Sequence, residues 1–441
     1  MNKVFKVIWN HATQTWTAVS ELGHAKGKTK SKKIVKLTAL AGAVIGSLAV
    51  SQTATAAADL TTNDAVNIAP NSVSNPTAGR QAVAVGYLAN ASHQDSIAIG
   101  TNSTAQWTNT IAIGKDTNAT QDHAVAIGTG TTASGVQSVT VGSYSNATAD
   151  SVVAIGQESK AGGTGSGTAA VAVGYLANAS AANTVATGKS ASASVDNAVA
   201  VGVQSNASAR NAMALGGYSS ASGERATAVG AASKATGTAS FAGGTSANAA
   251  GVNSVAVGGS MTAAEAAQAA GANSIAVGSK SNAQQAADVA VGHGATANGT
   301  STGTDAEGTV NNAGSAMAIG TEAQATGIVA TAIGQRSQAL ANGAVALGGD
   351  AQAKQGSDVA IGRGSVANGT SASAIGPAAQ ATAKYAVALG VQSQATSEQA
   401  IALGRGAQAN GGNFATALGN GAQATAKNTL ALGTEAKSTI E

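Results

Sequence analysis

The sequence predicts an all-β protein, a β-solenoid of fourteen-residue coils, and three observations carry that prediction. An aliphatic–Ala–aliphatic–Gly unit recurs from Val83–Gly86 to Leu430–Gly433, and nineteen of its twenty-three intervals are fourteen residues long. Each apolar run is three residues, too short for a helix of the usual ~11 residues and too regular for disorder. Large side chains are scarce, with aromatics at 2% and charged residues at 10%, against about 25% charged in typical soluble domains. Alanine and valine must therefore supply any core, and an enzyme domain is not expected. Glycine is abundant, 57 residues beside 3 prolines, but it never falls at every third position. That excludes a collagen helix.

The elements in chain order begin with an export region, residues 1–58. Lys26–Lys36 is a cationic cluster, Leu37–Val50 an apolar run, and Ala56-Ala57-Ala58 a small-residue end before Asp59. That order is a secretory signal, and the apolar run falls short of the ~20 residues that span a bilayer. Helix is expected only here and in a short insertion near 261–270, where Ala-rich sequence has high helix propensity. The region carries eight lysines and one glutamate, leaving 15 basic and 19 acidic residues for the rest. Nucleic-acid readers keep their basic patch on the folded part, so no nucleic-acid partner is expected. Cysteine is absent, which excludes disulfides and thiolate metal sites.

Residues 59–81 form an N-terminal segment of the exported chain, and 82–441 the repeats. Insertions near 157–170, 259–272 and 293–316 break the period; the last reads as a loop or a decayed coil. Within a coil, Val83/Val85, Ile97/Ile99 and Ile111/Ile113 flank Ala84, Ala98 and Ala112, and Gly86, Gly100 and Gly114 close the unit. Thr140 alone replaces the central alanine. Alternation sends the aliphatics one way and the alanine the other, so both faces are apolar, as in a strand covered on both sides. Glycine permits a tight turn with positive φ. A second, half-polar strand follows, with small residues such as Ala89 and Ala91. Coils stacked at ~4.8 Å make a rod of roughly 115 Å. One apolar set fills the thin interior; the other leaves a stripe on the order of 1,100 Å², beyond the ~300–600 Å² a monomer exposes. Identical chains side by side are expected to cover it, in a number periodicity does not give.

The repeats Asp95–Gly100, Asn109–Gly114, Asn253–Gly258 and Asn273–Gly278 resemble the head repeats of YadA-like trimeric autotransporter adhesins. The leader, Met1–Asn10 with Trp16 and Val19-Ser20-Glu21, resembles the extended signal-peptide region of large Gram-negative autotransporters. The resemblance covers the leader and about residues 82–434. It implies a left-handed parallel β-roll, a homotrimer, and display on the bacterial cell surface or outer membrane. It also implies attachment to host cells or extracellular matrix, collagen-like ligands among them. The family's stalk and anchor have no counterpart here, neither heptads nor alternating membrane strands. Membrane attachment is therefore expected only through a C-terminal anchor outside this chain, which reads as a fragment or a truncated product.

No catalytic, metal or cofactor site is expected. Four matches to the dinucleotide pattern, at 128–133, 292–297, 362–367 and 404–409, are by-products of the repeat, since a real fingerprint opens a helix. Gly299–Gly303 matches a hydrolase elbow in letters only. His93, His123 and His293 fall at different repeat phases, and Asp95, Asp116, Asp122 and Asp150 are scattered. The trimer or roll core is assigned to Val83, Ala84, Val85, Ile97, Ala98, Ile99, Ile111, Ala112 and Ile113, the turns to Gly86, Gly100 and Gly114. Tyr87, Trp107, Tyr144 and Tyr175 are the candidate ligand contacts, because aromatics anchor interfaces.

Overall fold

The computed structural model describes residues 5–10, 15–20, 66–69, 71–74, 81–162, 169–300 and 314–439. The chain divides into two units, residues 1–56 and 57–441.

In the first unit, strands Phe5–Asn10 and Thr15–Ser20 pair antiparallel, Phe5 opposite Ser20 and Trp9 opposite Trp16. This corrects the expectation of helix for the described part of the export region. Phe, Val, Ile, Trp and Thr dominate both segments, and such residues favour the extended pleat. The apolar run 37–50 and the small-residue end at 56–58 lie outside the described residues.

The second unit is a parallel β-solenoid. Among the described residues, twenty-five three-residue strands form one ladder and twenty-five two-residue strands a second. Both ladders run in register at every step: Val125 lies opposite Val139 and Ala126 opposite Thr140 in the first, Asn118 opposite Thr132 in the second. A coil is therefore a long strand (Ile97–Ile99), a glycine corner, a short strand (Thr104–Ala105) and a second corner leading to Ile111. Corner amides bond between coils as well, the Gly100 N–H donating to the Val85 carbonyl at 2.7 Å. Most corners also hold one residue in the left-handed region, such as Asn102 and Asn109, both at φ 56°. Asn and Asp suit those positions because their short polar side chains tolerate them.

The interior is filled from four positions per coil. In the coil of Gly100 these are Ser96, Ala98, Ser103 and Ala105, all fully buried. Of the two apolar sets, it is the alanines that face inward. Two ladders this close favour small side chains, and overpacking a filled interior costs about 1–3 kcal/mol. Many buried hydroxyls are answered locally: Ser138 donates to the Gly135 carbonyl at 2.6 Å and Thr110 to the Trp107 carbonyl at 2.6 Å.

The structure adds a coil that the repeat does not announce, Val66–Ile68 with Val73–Ser74, inside the 59–81 segment. The interruptions leave both ladders in register. Val153–Ile155 pairs directly with Val171–Val173, and Val289–Val291 with Met317–Ile319. No coil therefore intervenes in the ladders at the longest interruption. Residues 163–168 and 301–313 lie outside the described residues. The insertion near 261–270 is no helix beyond a single 3-10 turn, Ala263–Glu265. Helix propensity loses there to sheet pairing, since Gln268–Ala269 is a strand of the second ladder and Ala266 and Ala267 are buried.

Candidate binding surfaces

The first ladder presents its aliphatic rungs outward. Val83, Val85, Ile97, Ile111 and Ile113 are partly exposed and Ile99 is exposed at 37%, while Ala84, Ala98 and Ala112 are buried. The sequence-assigned core residues therefore divide: alanines inside the roll, aliphatics on its surface. Ile127, Val257, Ile333 and Leu403 continue the row toward Leu432, which is 70% exposed. The outward face of the second ladder is polar, with Asn90, Asn118 and Asn178 early and Gln338, Gln352, Gln394 and Gln408 late. One face of the rod is thus mainly apolar, with a few rungs such as Thr187, Gly243 and Ser373 as exceptions, and the other hydrophilic.

The glycine column shapes one corner. Gly86, Gly100 and Gly114 have φ of 131°, 128° and 133°. A Cβ on Gly86 would also strike the backbone of Gly100. Both the torsion and the close approach require glycine.

Tyr87, Trp107, Tyr144 and Tyr175 are all exposed, but the fold does not assemble them into one site. Tyr87, Tyr144 and Tyr175 lie along the glycine corner, Trp107 on the opposite corner. Trp107 is stacked on His93 with centroids 5.5 Å apart. Lys189 lies 6.0 Å above the Tyr175 ring. The other histidines have separate neighbours, His123 near Asn109 at 3.2 Å and His293 near Ser279 at 2.9 Å. Among the described residues, no three His, Asp or Glu side chains form a metal-binding group. Asp122 and Asp150 accept from the backbone N–H groups of Thr108 and Val136 one coil earlier, at 3.2 and 2.8 Å. Asp116 accepts from the Asn102 amide at 2.9 Å. These carboxylates hold coils together.

Sequence reasoning missed two carboxylates inside the roll. Asp288 and Asp358 are fully buried where other coils carry Ala, Ser, Thr or, once, Val152. Asp358 accepts from the N–H groups of Gln355 and Ala372, at 2.8 and 2.9 Å. Burial raises its carboxyl above the ordinary 3.8, against four backbone N–H groups that pull it down. Asp288 accepts from Gln285 at 2.8 Å, Gly299 at 3.2 Å and Ala316 at 2.9 Å. Gly299 and Ala316 flank the longest interruption, so one carboxylate clamps both ends of it. A signal existed: Gln285-x-x-Asp288 and Gln355-x-x-Asp358 are each followed, ten residues after the aspartate, by Asn-Gly-Thr, at Asn298–Thr300 and Asn368–Thr370.

Comparison with known families agrees with this geometry. Residues 1–50 match the extended signal peptide of the type V secretion system. The YadA head domain repeat matches 78–103, 108–131, 133–159, 166–191, 193–219, 221–247, 244–260 and 265–281. It matches again in overlapping segments from 312–337 to 411–436. With an export leader of that type ahead of head repeats that fill most of its length, the chain belongs to the YadA-like trimeric autotransporter adhesins, exported surface proteins of Gram-negative bacteria.

Proposed function

We propose that this protein is a non-enzymatic adhesin head. It assembles as a homotrimer through the aliphatic face of its first ladder and attaches bacteria to host cells or to extracellular matrix, collagen-like ligands included. The observation that carries the reading is the mainly aliphatic row of outward rungs from Val83 to Leu432 on one face of a rod whose other face is polar. Water penalises exposed apolar surface at about 25 cal/mol per Å², and identical chains with an identical period cover such a row without losing register. A rod with one coil every ~4.8 Å repeats its surface many times, so weak contacts to a repetitive ligand sum by avidity. The same logic supports the runner-up, a spacer or autoaggregation module that binds no host ligand.

Sedimentation and matrix-binding assays on purified residues 59–441 test the reading. A trimer that binds matrix or cells is expected, and Ile127→Asp together with Val257→Asp on the outward row should weaken the assembly. A stable monomer that binds no cell or matrix component would defeat it. Trimers that clump bacteria without touching host material would favour the runner-up.

A further inference from the structure

At residues 259–266 the fourteen-residue period breaks on the glycine corner, where the interruption forms its single 3-10 turn. Beside it lies a recess of about 160 Å³, lined by Ala232, Lys234, Ser246, Asn248, Ala263 and Gln268. Lys234, Asn248 and Gln268 are successive outward members of the second ladder. Ala263 is the roof. The Gln268 Nε2 donates to the Ala263 carbonyl at 2.7 Å, and the Asn248 Nδ2 donates to the Gln268 Oε1 at 3.0 Å. Glu265, the acid of the turn, is paired with Lys280 at 3.3 Å, and its carbonyl accepts the Lys280 N–H at 2.6 Å. The roof is thereby tied down at both sides.

That pairing leaves the recess with a positive balance. Among the described residues the Lys234 ammonium has no acidic partner, and the Asn248 Oδ1 and Ser246 hydroxyl have no hydrogen-bond partner. We propose that the recess binds one acidic sugar residue. Its carboxylate meets Lys234, its hydroxyls meet Ser246 and Asn248, and its CH face rests on the methyls of Ala232 and Ala263. The size argues for a single ring, because sites for larger ligands occupy about 300–1,000 Å³. The mixed hydroxyl, amide and methyl lining suits a polyhydroxylated ring better than a peptide carboxylate. The proposal deepens the attachment reading and rests on it for its biological setting.

The rod carries its own control. Lys160 occupies the same outward column, on strand Lys160–Ala161, and is exposed, and among the described residues no 3-10 turn accompanies it. The full-length purified chain is titrated by NMR or calorimetry with glucuronate, N-acetylneuraminate, glucose and N-acetylaspartate. Saturable binding of an acidic sugar, at least about tenfold tighter than glucose or N-acetylaspartate, is expected. Glucuronate binding identifies a matrix glycosaminoglycan as the source, N-acetylneuraminate binding a sialylated surface. Lys234→Gln and Ala263→Glu should each weaken it by about tenfold or more, and Lys160→Gln should leave it unchanged. Absence of saturable binding, unaltered binding by Lys234→Gln, or equal binding of N-acetylaspartate overturns the site. Failure of the chain to attach to cells while the acidic sugar still binds strikes the attachment reading alone.

Discussion

A Cβ placed on Gly216 would lie 2.6 Å from the carbonyl oxygen of Gly230, the equivalent residue one coil further on. The backbone of Gly216 has a φ of +134°, so an alanine there meets a strained torsion and a blocked contact together. Gly216→Ala should cost about 2–5 kcal/mol, adding backbone strain to overpacking. Gly364 has a φ of +65°, and a methyl added to it would meet nothing within 4 Å. Gly364→Ala should therefore cost only about 1–2 kcal/mol, the left-handed penalty alone. Thermal unfolding of the two variants separates space from torsion. Equal losses would show that close approach of successive coils is not what the column protects.

The roll was legible because its period is short and a glycine marks one corner of nearly every coil. Ala84, Ala98 and Ala112 could have been assigned to the interior by volume, since a gap between two ladders so close favours small groups. The coil at Val66–Ser74 was illegible for the opposite reason: Asn67 stands where other coils have alanine, and no glycine follows Ile68. It exists because the ladder above it offers unpaired backbone groups. The Ala263–Ala270 stretch misled through local propensity, which pairing with Asn248 and Asn282 overrode. The recess at Lys234 was beyond sequence reading, because it joins a turn to residues one and two coils earlier.

Val329 adopts a φ of 50° at the second corner, and is 56% exposed. A β-branched residue is the worst occupant of that region. The same column elsewhere holds Asn183 and Asn197, whose side chains hydrogen-bond to each other at 3.2 Å. Val329→Asn should stabilise its coil by about 1 kcal/mol, seen as slower amide exchange in the coil of Thr331–Ile333. Unchanged or faster exchange would mean that the valine packs usefully on its neighbours.

Ser240 and Ser254 occupy the same interior column in adjacent coils but differ in their partners. Ser254 donates to the Gly251 carbonyl at 2.7 Å, whereas the Ser240 hydroxyl is buried with none. An unanswered buried hydroxyl costs about 1–3 kcal/mol, and a made bond contributes roughly 0.5–1.5 kcal/mol. Ser240→Ala should therefore leave stability unchanged or raise it, and Ser254→Ala should lower it. Ser274, also unanswered, should follow Ser240. Denaturant midpoints rank the three, and a loss at Ser240 equal to that at Ser254 would contradict the assignment.

Asp358 makes the stability of its coil depend on pH. Burial raises its carboxyl above the ordinary 3.8, so the folded coil favours the protonated form more than the unfolded chain does. The stabilisation is complete below the ordinary carboxylate value and is lost as pH rises through the raised one. Asp358→Ser installs the hydroxyl that other coils use and removes that titration. In a solenoid each coil contributes its own stability and that of its interfaces, so the Ala372 amide, which donates to Asp358 at 2.9 Å, is the local probe. Protection of that amide, corrected for intrinsic exchange and relative to the serine variant, should be greatest at the acidic end and decline as pH rises across the carboxylate range. The difference removes contributions common to both proteins. Parallel pH profiles for the two would show that the N–H groups around Asp358 fully offset its burial.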